Sequence, residues 1–507
     1  MKRTNRREFL TLTAGGTAAA LTAPLLGQRQ AHAQAARPSD TLTVGGESVG
    51  DNYDPGVSFQ GWAHTWVLMN IYDRLLESFD GAKLVPGLAE SWTVSRDGLV
   101  YTFKLRKGVK FQDGTPFNAD AVVFNYMRML DEAHPFYNKL AVFRSNLFLG
   151  VKEWSATRED EVKMVRTFPS AAALALMSHY AAGFMSPDSV KKAPSDYGRL
   201  PVGTGPFRLV EAVKGNRAVM DANPSYWRQG RPKVKRLVIR VLPVEATMTA
   251  GLLSGEIDGT PFIDFKDLPR LQSTPSLKVD LTPALNLGYL GINSGKPPFD
   301  NPAVRRALNH AINRQQVVDV IFNKQADAAG GYFPKAKQFL AEGGQAKGFA
   351  VDLWVQTNGF WPRLAELIQA DLGAIGITVS INKIDAARFF SAITEGKHAL
   401  FLSDTTPGTI DPEEMAASFF QSTSPRAKGR FGYGNKEFDD LLAKEARATD
   451  QAERTRAIVA LQKKLLDDMP TVNLYYGRFA AAYNTRVEGY RPMPIRVAYF
   501  QDVAKRG

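Results

Sequence analysis

One run in the chain matches a catalytic pattern. Gly46-Glu47-Ser48-Val49-Gly50 fits G-x-S-x-G and follows a stretch that reads as a strand. A nucleophile elbow needs a helix directly behind its serine. Here Asp51-Asn52-Tyr53-Asp54-Pro55-Gly56 follows, a loop composition, so the glycines read as an ordinary strand-to-loop cluster. The histidines past the N-terminal segment, His64, His134, His179, His310 and His398, are widely separated and form no local metal pair such as HExxH. No Walker loop and no dinucleotide fingerprint is present. The densest basic run, Arg228 to Arg240, has only Tyr226 and Trp227 nearby. A nucleic-acid face interleaves aromatics with its charges, so this run reads as a solvated loop and strand edge. Carboxylates are plentiful, and spacing alone selects no catalytic pair among them.

Several elements are legible around these residues. Thr41–Val44 reads as a first strand, Asp51–Pro55 as a loop and Val67–Leu76 as a helix. Leu99–Leu105 alternates apolar and polar residues as a strand does, and Gly108 ends it. Asn118–Leu130 has helical spacing, with Val122, Phe124 and Met127 among its apolar positions. Pro201–Phe207 (PVGTGPF) predicts a sharp domain crossing. A strand at Leu237–Leu242 precedes a helix at Val244–Ser254, closed by Gly255. Asn301-Pro302 is a helix start, and Val304, Leu308, Ala311 and Ile312 follow at helical spacing. Pro362–Leu372 reads as a helix and Ile377–Ile381 as a strand. Asp450 and Glu453 form a capping-box-like pair ahead of Ile458, Leu461 and Leu465, and Val472–Tyr476 is a strand. The class is α/β, with no short repeat and no low-complexity linker.

Length and composition bound the rest. At about 150 residues per domain, 507 residues suggest two to four domains. Hydrophobic residues are 44% and charged residues 22%, which excludes a disordered, collagen-like or polytopic membrane chain. Cysteine is absent, which removes disulfides, thiolate metal sites, cysteine nucleophiles and a lipid-modified cysteine. Residues 1–35 have a basic start, a weakly apolar stretch from Phe9 to Leu26, and small residues at Ala31–Ala35, the layout of a secretory signal. Arg6-Arg7-Glu8-Phe9-Leu10 resembles a twin-arginine signal, with cleavage expected after Ala33 or Ala35. Gly15, Gly16 and Pro24 argue against a membrane anchor. The formal charge of +12 falls to +8 for a chain beginning at residue 34, which weakly favours an anionic partner or surface. A soluble bacterial periplasmic protein is expected.

Longer segments carry a family resemblance. Leu88–Trp92 (LAESW), Gly98–Lys110 (GLVYTFKLRKGVK) and Phe111–Phe117 (FQDGTPF) resemble extracellular solute-binding proteins of family 5. These are the dipeptide- and oligopeptide-binding proteins of ABC importers, with nickel, opine, glutathione and oligosaccharide relatives. Pro201–Phe207, Asn223–Trp227 (NPSYW), Leu253–Asp258 (LSGEID), Pro298–Arg314 (PFDNPAVRRALNHAINR), Asn435–Leu442 and Pro470–Tyr476 continue the likeness in order across the mature chain.

The resemblance implies a two-lobed periplasmic-binding-protein fold of the class II type, with mixed sheets, hinge crossings and an extra inserted domain. Lobe I would be 36–76, 198–278 and 479–507, the insertion 77–197, and lobe II 279–478. Solute would bind in the cleft, bridge the lobes and favour the closed state. Permease subunits in the inner membrane would receive it, and ATP hydrolysis would belong to other subunits. The family's cleft contacts carry over to Phe59, Gly61 and Trp62 in the loop after the first strand. They carry over also to Pro261 and Phe262 after S-G-E-I-D, to Asn286 and Tyr289 in the strand after the hinge, and to Phe401, Leu402, Ser403 and Asp404. Asp404 matches the segment where peptide binders hold the ligand's ammonium group. Asp411-Pro412 lies beyond a longer insert than is usual, which makes Asp411 the rival anchor. Phe59, Trp62 and Tyr289 read equally as lobe-core aromatics and Asp404 as a loop cap. Trp354 reads as core, Trp361 either way, and Gly203, Thr204 and Gly205 as hinge structure. Many peptide binders place Arg-Pro before the helix at Pro362–Leu372. The loop here, Gln356–Pro362 (QTNGFWP), has no arginine, so dipeptides lose their carboxylate clamp.

The expected function is therefore a solute-binding component of an ABC importer, not an enzyme, without cofactor or metal. It would act as a monomer on a peptide, opine, sugar or similar solute, with no nucleic-acid partner. A periplasmic hydrolase using Ser48, and a receptor or folding helper on the same fold, are the competing readings.

Overall fold

A computed structural model of the chain describes residues 40–56, 62–79, 83–138, 147–199, 201–243, 245–329, 335–409, 411–448 and 450–507. The signal-like residues 1–35, Phe59 and Gly61 lie outside these, and of Trp62 only the backbone is described.

An eleven-stranded mixed sheet forms the frame. Its order is Thr378–Ile384, Ala350–Gln356, Leu400–Thr405, Leu277–Ile292, Thr471–Asn484, Gly259–Thr260, Thr41–Gly46, Arg236–Val241, Arg217–Ala222 and Phe207–Val213, with Asp327–Ala328 paired to Thr471–Asn484 off this path. The two long antiparallel strands, Leu277–Ile292 and Thr471–Asn484, carry the sheet from one half to the other. Their ladder is interrupted in the middle: Pro283 pairs Arg478, and pairing resumes only at Leu287 with Tyr476. Pro283 has no backbone N–H to give a ladder, and the break leaves Asn286 out of register. Gly477 faces it, where a Cβ would stand 2.5 Å from the Asn286 amide oxygen, so a side chain there would displace the amide.

Helices cover both faces of the half containing Leu400–Thr405. That strand alternates: Leu400 and Leu402 enter a core with Leu308, Leu353 and Val472, while Phe401 enters another with Tyr289, Phe389 and Phe431. A strand buried on both faces reads as an unbroken apolar run, which is why Leu400-Phe401-Leu402 shows no polar alternation. On the other side, one large core joins Leu42 and Val44 to Tyr101 and Phe103 of a second, four-stranded antiparallel sheet, and to Val497 and Phe500 near the C-terminus.

Most expected elements form within a few residues of their predicted ends. Val100–Leu105 buries Tyr101, Phe103 and Leu105, and Asn118 caps Ala119–Leu130 by accepting from the Ala121 N–H at 3.0 Å. Asn301 caps Pro302–Ala311 and Asp450 caps Gln451–Asp468. The helix expected at Val67–Leu76 runs instead over Trp62–Ile71. Its end is set by Pro201–Phe207: the Gly205 N–H donates to the Ile71 carbonyl at 3.0 Å. A Cβ on Gly203 would stand 1.9 Å from that oxygen, so the PVGTGPF glycines serve a helix terminus that the local sequence of the helix does not mark. The strand read at Val472–Tyr476 continues to Asn484, its second half paired to Leu277–Pro283. No helix among the described residues is long and apolar enough to cross a membrane.

Candidate functional site: an aromatic cleft with one held carboxylate

Where the central strands end, a cavity of about 300 Å3 opens, lined by residues from both halves of the sheet. Asp404 enters it from the end of Leu400–Thr405, and Asn286 from the break in the long strand. The Asn286 amide, itself buried, donates to Asp404 Oδ2 at 3.0 Å and to Thr406 Oγ1 at 3.0 Å. A buried amide with two acceptors is fixed, and it fixes the carboxylate.

Rings make the walls. Phe262 stacks on Trp66 at 5.7 Å and meets Phe479 edge-on at 4.9 Å. Opposite them, Phe322 contacts Phe360 at 5.3 Å and Tyr475 at 4.3 Å, and Trp361 backs Phe360 at 4.6 Å. Arg496 lies over both Phe262 and Phe479, at 5.3 and 5.5 Å from the ring centres, and points a nitrogen at Asp404 Oδ2 from 3.8 Å. The Trp66 indole N–H donates to the Arg496 carbonyl at 3.3 Å. Such a pocket, apolar and aromatic with a few placed polar groups, suits capture of a small organic solute.

Of the carried-over residues, Phe262, Asn286 and Asp404 come together here, with Pro261 buried beside Phe262. Others are placed in the core. Tyr289, Phe401 and Leu402 are 2%, 0% and 0% exposed. The period of two sends Tyr289 and Phe401 to one covered face and Leu402 to the other, away from the strand's open end. Ser403 is also buried, and its hydroxyl donates to the Asp404 carbonyl at 3.2 Å.

Asp411 does not line the cavity. It caps Pro412–Phe420, accepting from the Glu413 N–H at 3.0 Å, and pairs with Arg454 at 2.6 Å. Glu445 takes Arg454 Nε at 2.7 Å on the other side. Among the described residues, Asp411, Glu413 and Glu445 form the one carboxylate group close enough to share a cation. The Arg454 guanidinium already supplies that positive charge. Burial first, and the neighbouring Glu413 carboxylate second, push the Glu445 carboxyl up to about 7.

The histidines stay apart, and burial lowers His64 and His398 to about 4 and His179 to about 3. Behind Ser48 the chain is non-helical through Gly56, so the elbow geometry is not met there. Trp66, Tyr475, Phe479 and Arg496 were not reached from sequence. They come from a helix face, a long strand and a C-terminal loop that meet only in three dimensions.

The model of bacterial extracellular solute-binding proteins, family 5 (middle), matches residues 83–426. The chain is 30% identical over 497 residues to heme-binding protein A of Haemophilus influenzae, covering 90% of each chain. It is 31% identical over 462 residues to the glutathione-binding protein GsiB of Escherichia coli strain K12, covering 86% of this chain and 89% of that one. It superposes on the periplasmic binding protein DppA of Helicobacter pylori, solved with the peptide STSA. The TM-score is 0.84 at 27% identity, over 92% of this chain and 98% of the other. The chain belongs to the bacterial extracellular solute-binding proteins of family 5.

Proposed function

We propose that the aromatic cleft captures a peptide or peptide-like solute, with Asp404 as its anchor. As a family 5 member the chain is a solute-binding component of an ABC importer, which hands its solute to a membrane permease. The observation that carries the cleft assignment is the Asp404 carboxylate, held by Asn286 inside an aromatic cavity built from both halves of the sheet. A carboxylate so placed accepts from an ammonium or another donor where water is scarce, and the rings cover the solute's apolar parts. The ligands named for the relatives, a glutathione and a peptide among them, support a solute of that size and chemistry.

The finer organisation is proposed with it. Lobe I (36–76, 198–278, 479–507), with the insertion 77–197, closes on lobe II (279–478), the long strands serving as the crossings. The protein acts as a periplasmic monomer, exported through Arg6-Arg7, and it performs no chemistry on its cargo. Native mass spectrometry of material purified from the periplasm should show a co-purifying organic solute. Small-angle scattering should show compaction on adding it back to stripped protein. An unchanged radius at saturation, with the empty form open, would count against closure. Solute at 100 times its Kd should add about 2.7 kcal/mol of stability, read as a raised thermal midpoint. Replacing Arg6 and Arg7 with lysine should leave precursor in the cytoplasm; normal periplasmic yield would refute that route.

A further inference from the structure

The basic run from Arg228 to Arg240 divides in two. Its later members are neutralised one by one: Lys235 by Asp40 at 2.7 Å, Arg236 by Asp221 at 2.7 Å, and Arg240 by Glu256. Arg228, Arg231 and Lys233 instead line a cavity of about 390 Å3, where Arg491 of the C-terminal loop joins them. Among the described residues Asp502 is the one carboxylate in that lining, and Arg231 takes it at 2.5 Å. Arg228, Lys233 and Arg491 form no ion pair among the described residues, and Lys233 and Arg491 are exposed.

Arg228 is already set in place. Its guanidinium lies over Phe79 at 5.0 Å and over Trp227 at 4.3 Å, and the Trp227 indole N–H is tied to Asp73 at 2.9 Å. Its Nη2 reaches the Pro86 carbonyl only at 3.5 Å, and its Nε is buried without a hydrogen-bond partner. The carboxylate of Glu77, behind the Tyr499 wall, is spent on Arg74 Nε at 3.0 Å and on the Tyr499 hydroxyl at 3.1 Å. A guanidinium fixed on rings with N–H groups unspent is a fork prepared for an oxyanion. A phosphate group brings up to two charges and three strong acceptor oxygens, which suits three uncompensated cations better than a carboxylate does. We propose that this cavity, which shares no lining residue with the solute cleft, binds a phosphate-bearing anion, with Arg228 as the fork and Lys233 and Arg491 as the charges at the rim. Its volume admits a small organophosphate.

The probes are glycerol phosphate and inorganic phosphate in solution, and vesicles of phosphatidylglycerol against vesicles of phosphatidylcholine. Calorimetry of the full protein in about 0.15 M salt should show saturable binding at one site for the soluble probes. Arg228→Gln should weaken it by roughly tenfold or more. The double variant Lys233→Gln with Arg491→Gln changes two exposed side chains and should weaken it likewise, which keeps the test open should Arg228→Gln fail to fold. Far-ultraviolet dichroism and the thermal midpoint report folding. Soluble phosphates that bind while neither vesicle does assign a free anion. Sedimentation with phosphatidylglycerol vesicles alone, lost in the double variant, assigns a lipid headgroup; both results uphold the site. The proposal is overturned if no probe binds, or if binding survives in the folded variants undiminished.

Discussion

Two arginines of this molecule face carboxylates in sites built to opposite ends. In the cluster at Arg454 the guanidinium touches Asp411 at 2.6 Å and Glu445 at 2.7 Å, with the arginine side chain 14% exposed. In the cleft Arg496 stands 3.8 Å from Asp404, and the side chains are 30% and 21% exposed. The first pair is closed and satisfied. It also sits where residues 170–172 meet the helices beyond Asp411: Glu413 accepts from the Ala172 N–H at 3.2 Å, and the Ala171 N–H donates to the Ala446 carbonyl at 3.1 Å. The second pair is held open by rings and an amide. A tight buried pair serves assembly, because nothing can enter it without breaking it. A long, pre-set pair facing the cleft serves binding, because its groups are already positioned and little has to be reorganised.

The largest expected effect follows from removing the arginine at the closed site. Arg454→Met removes the cation that Asp411 and Glu445 share. Losing one partner of a buried pair costs about 3–5 kcal/mol. Arg496→Gln should cost less, about 1–2 kcal/mol, since its carboxylate contact is long at 3.8 Å and its ring contacts are partly exposed. Urea denaturation of both variants at neutral pH measures the contrast, and equal losses would erase the distinction between the sites.

The closed site should also be the pH-sensitive one. The Glu445 carboxyl lies near 7 in the folded protein against 4.5 ordinarily, so between those values the folded chain holds a proton that the unfolded chain has released. Stability from this group is full below about pH 4.5 and is lost as pH rises through 7. The loss is on the order of 2–3 kcal/mol. Glu445→Gln keeps an acceptor for Arg454 and removes the titration. The variant should match the parent near pH 4.5 and exceed it by that amount at pH 8. Denaturation midpoints across this range decide, and a constant difference between the two proteins would mean that Glu445 carries no such proton.

The same contrast explains what could be read from the sequence. Local signals were sufficient wherever one element supplies its own cap or pattern: Asn301 and Asp450 at their helices, and the alternation of Val100–Leu105. The ordered segments from Leu88–Trp92 to Pro470–Tyr476 pointed to the family. Asp404 was legible because an apolar strand ends at it. The strand's own cleft neighbours were not, since Leu400–Thr405 is buried on both faces and its polarity hides which end is open. Asp411 competed with Asp404 in the sequence because each lies near a turn. Its role as a cap paired to Arg454, 43 positions away, is a tertiary fact. Arg496 and Phe479 were invisible for the same reason, as their meaning depends on Phe262, more than two hundred residues earlier.

The two aspartates provide the sharpest separation, although the energies are the smallest. Asp404→Asn preserves shape and the contact with Asn286 while removing the charge that a donor on the solute would use. A charge-assisted bond is worth about 1.5–3 kcal/mol, so affinity should fall roughly ten- to a hundredfold. Stability should hardly change, because asparagine keeps an acceptor for the Asn286 amide and the contact with Arg496 is long at 3.8 Å. Asp411→Asn should do the reverse. It weakens the pair with Arg454 and keeps a side-chain acceptor for the Glu413 N–H, so about 1–2 kcal/mol of stability is lost. Solute affinity is unaffected in that variant, since Asp411 does not line the cavity. Calorimetry and denaturation on both variants give four numbers, and the crossed pattern is the expectation. Should Asp411→Asn abolish binding while Asp404→Asn spares it, the solute anchors at the closed cluster. The open pair in the cleft would then have no claim to the ligand.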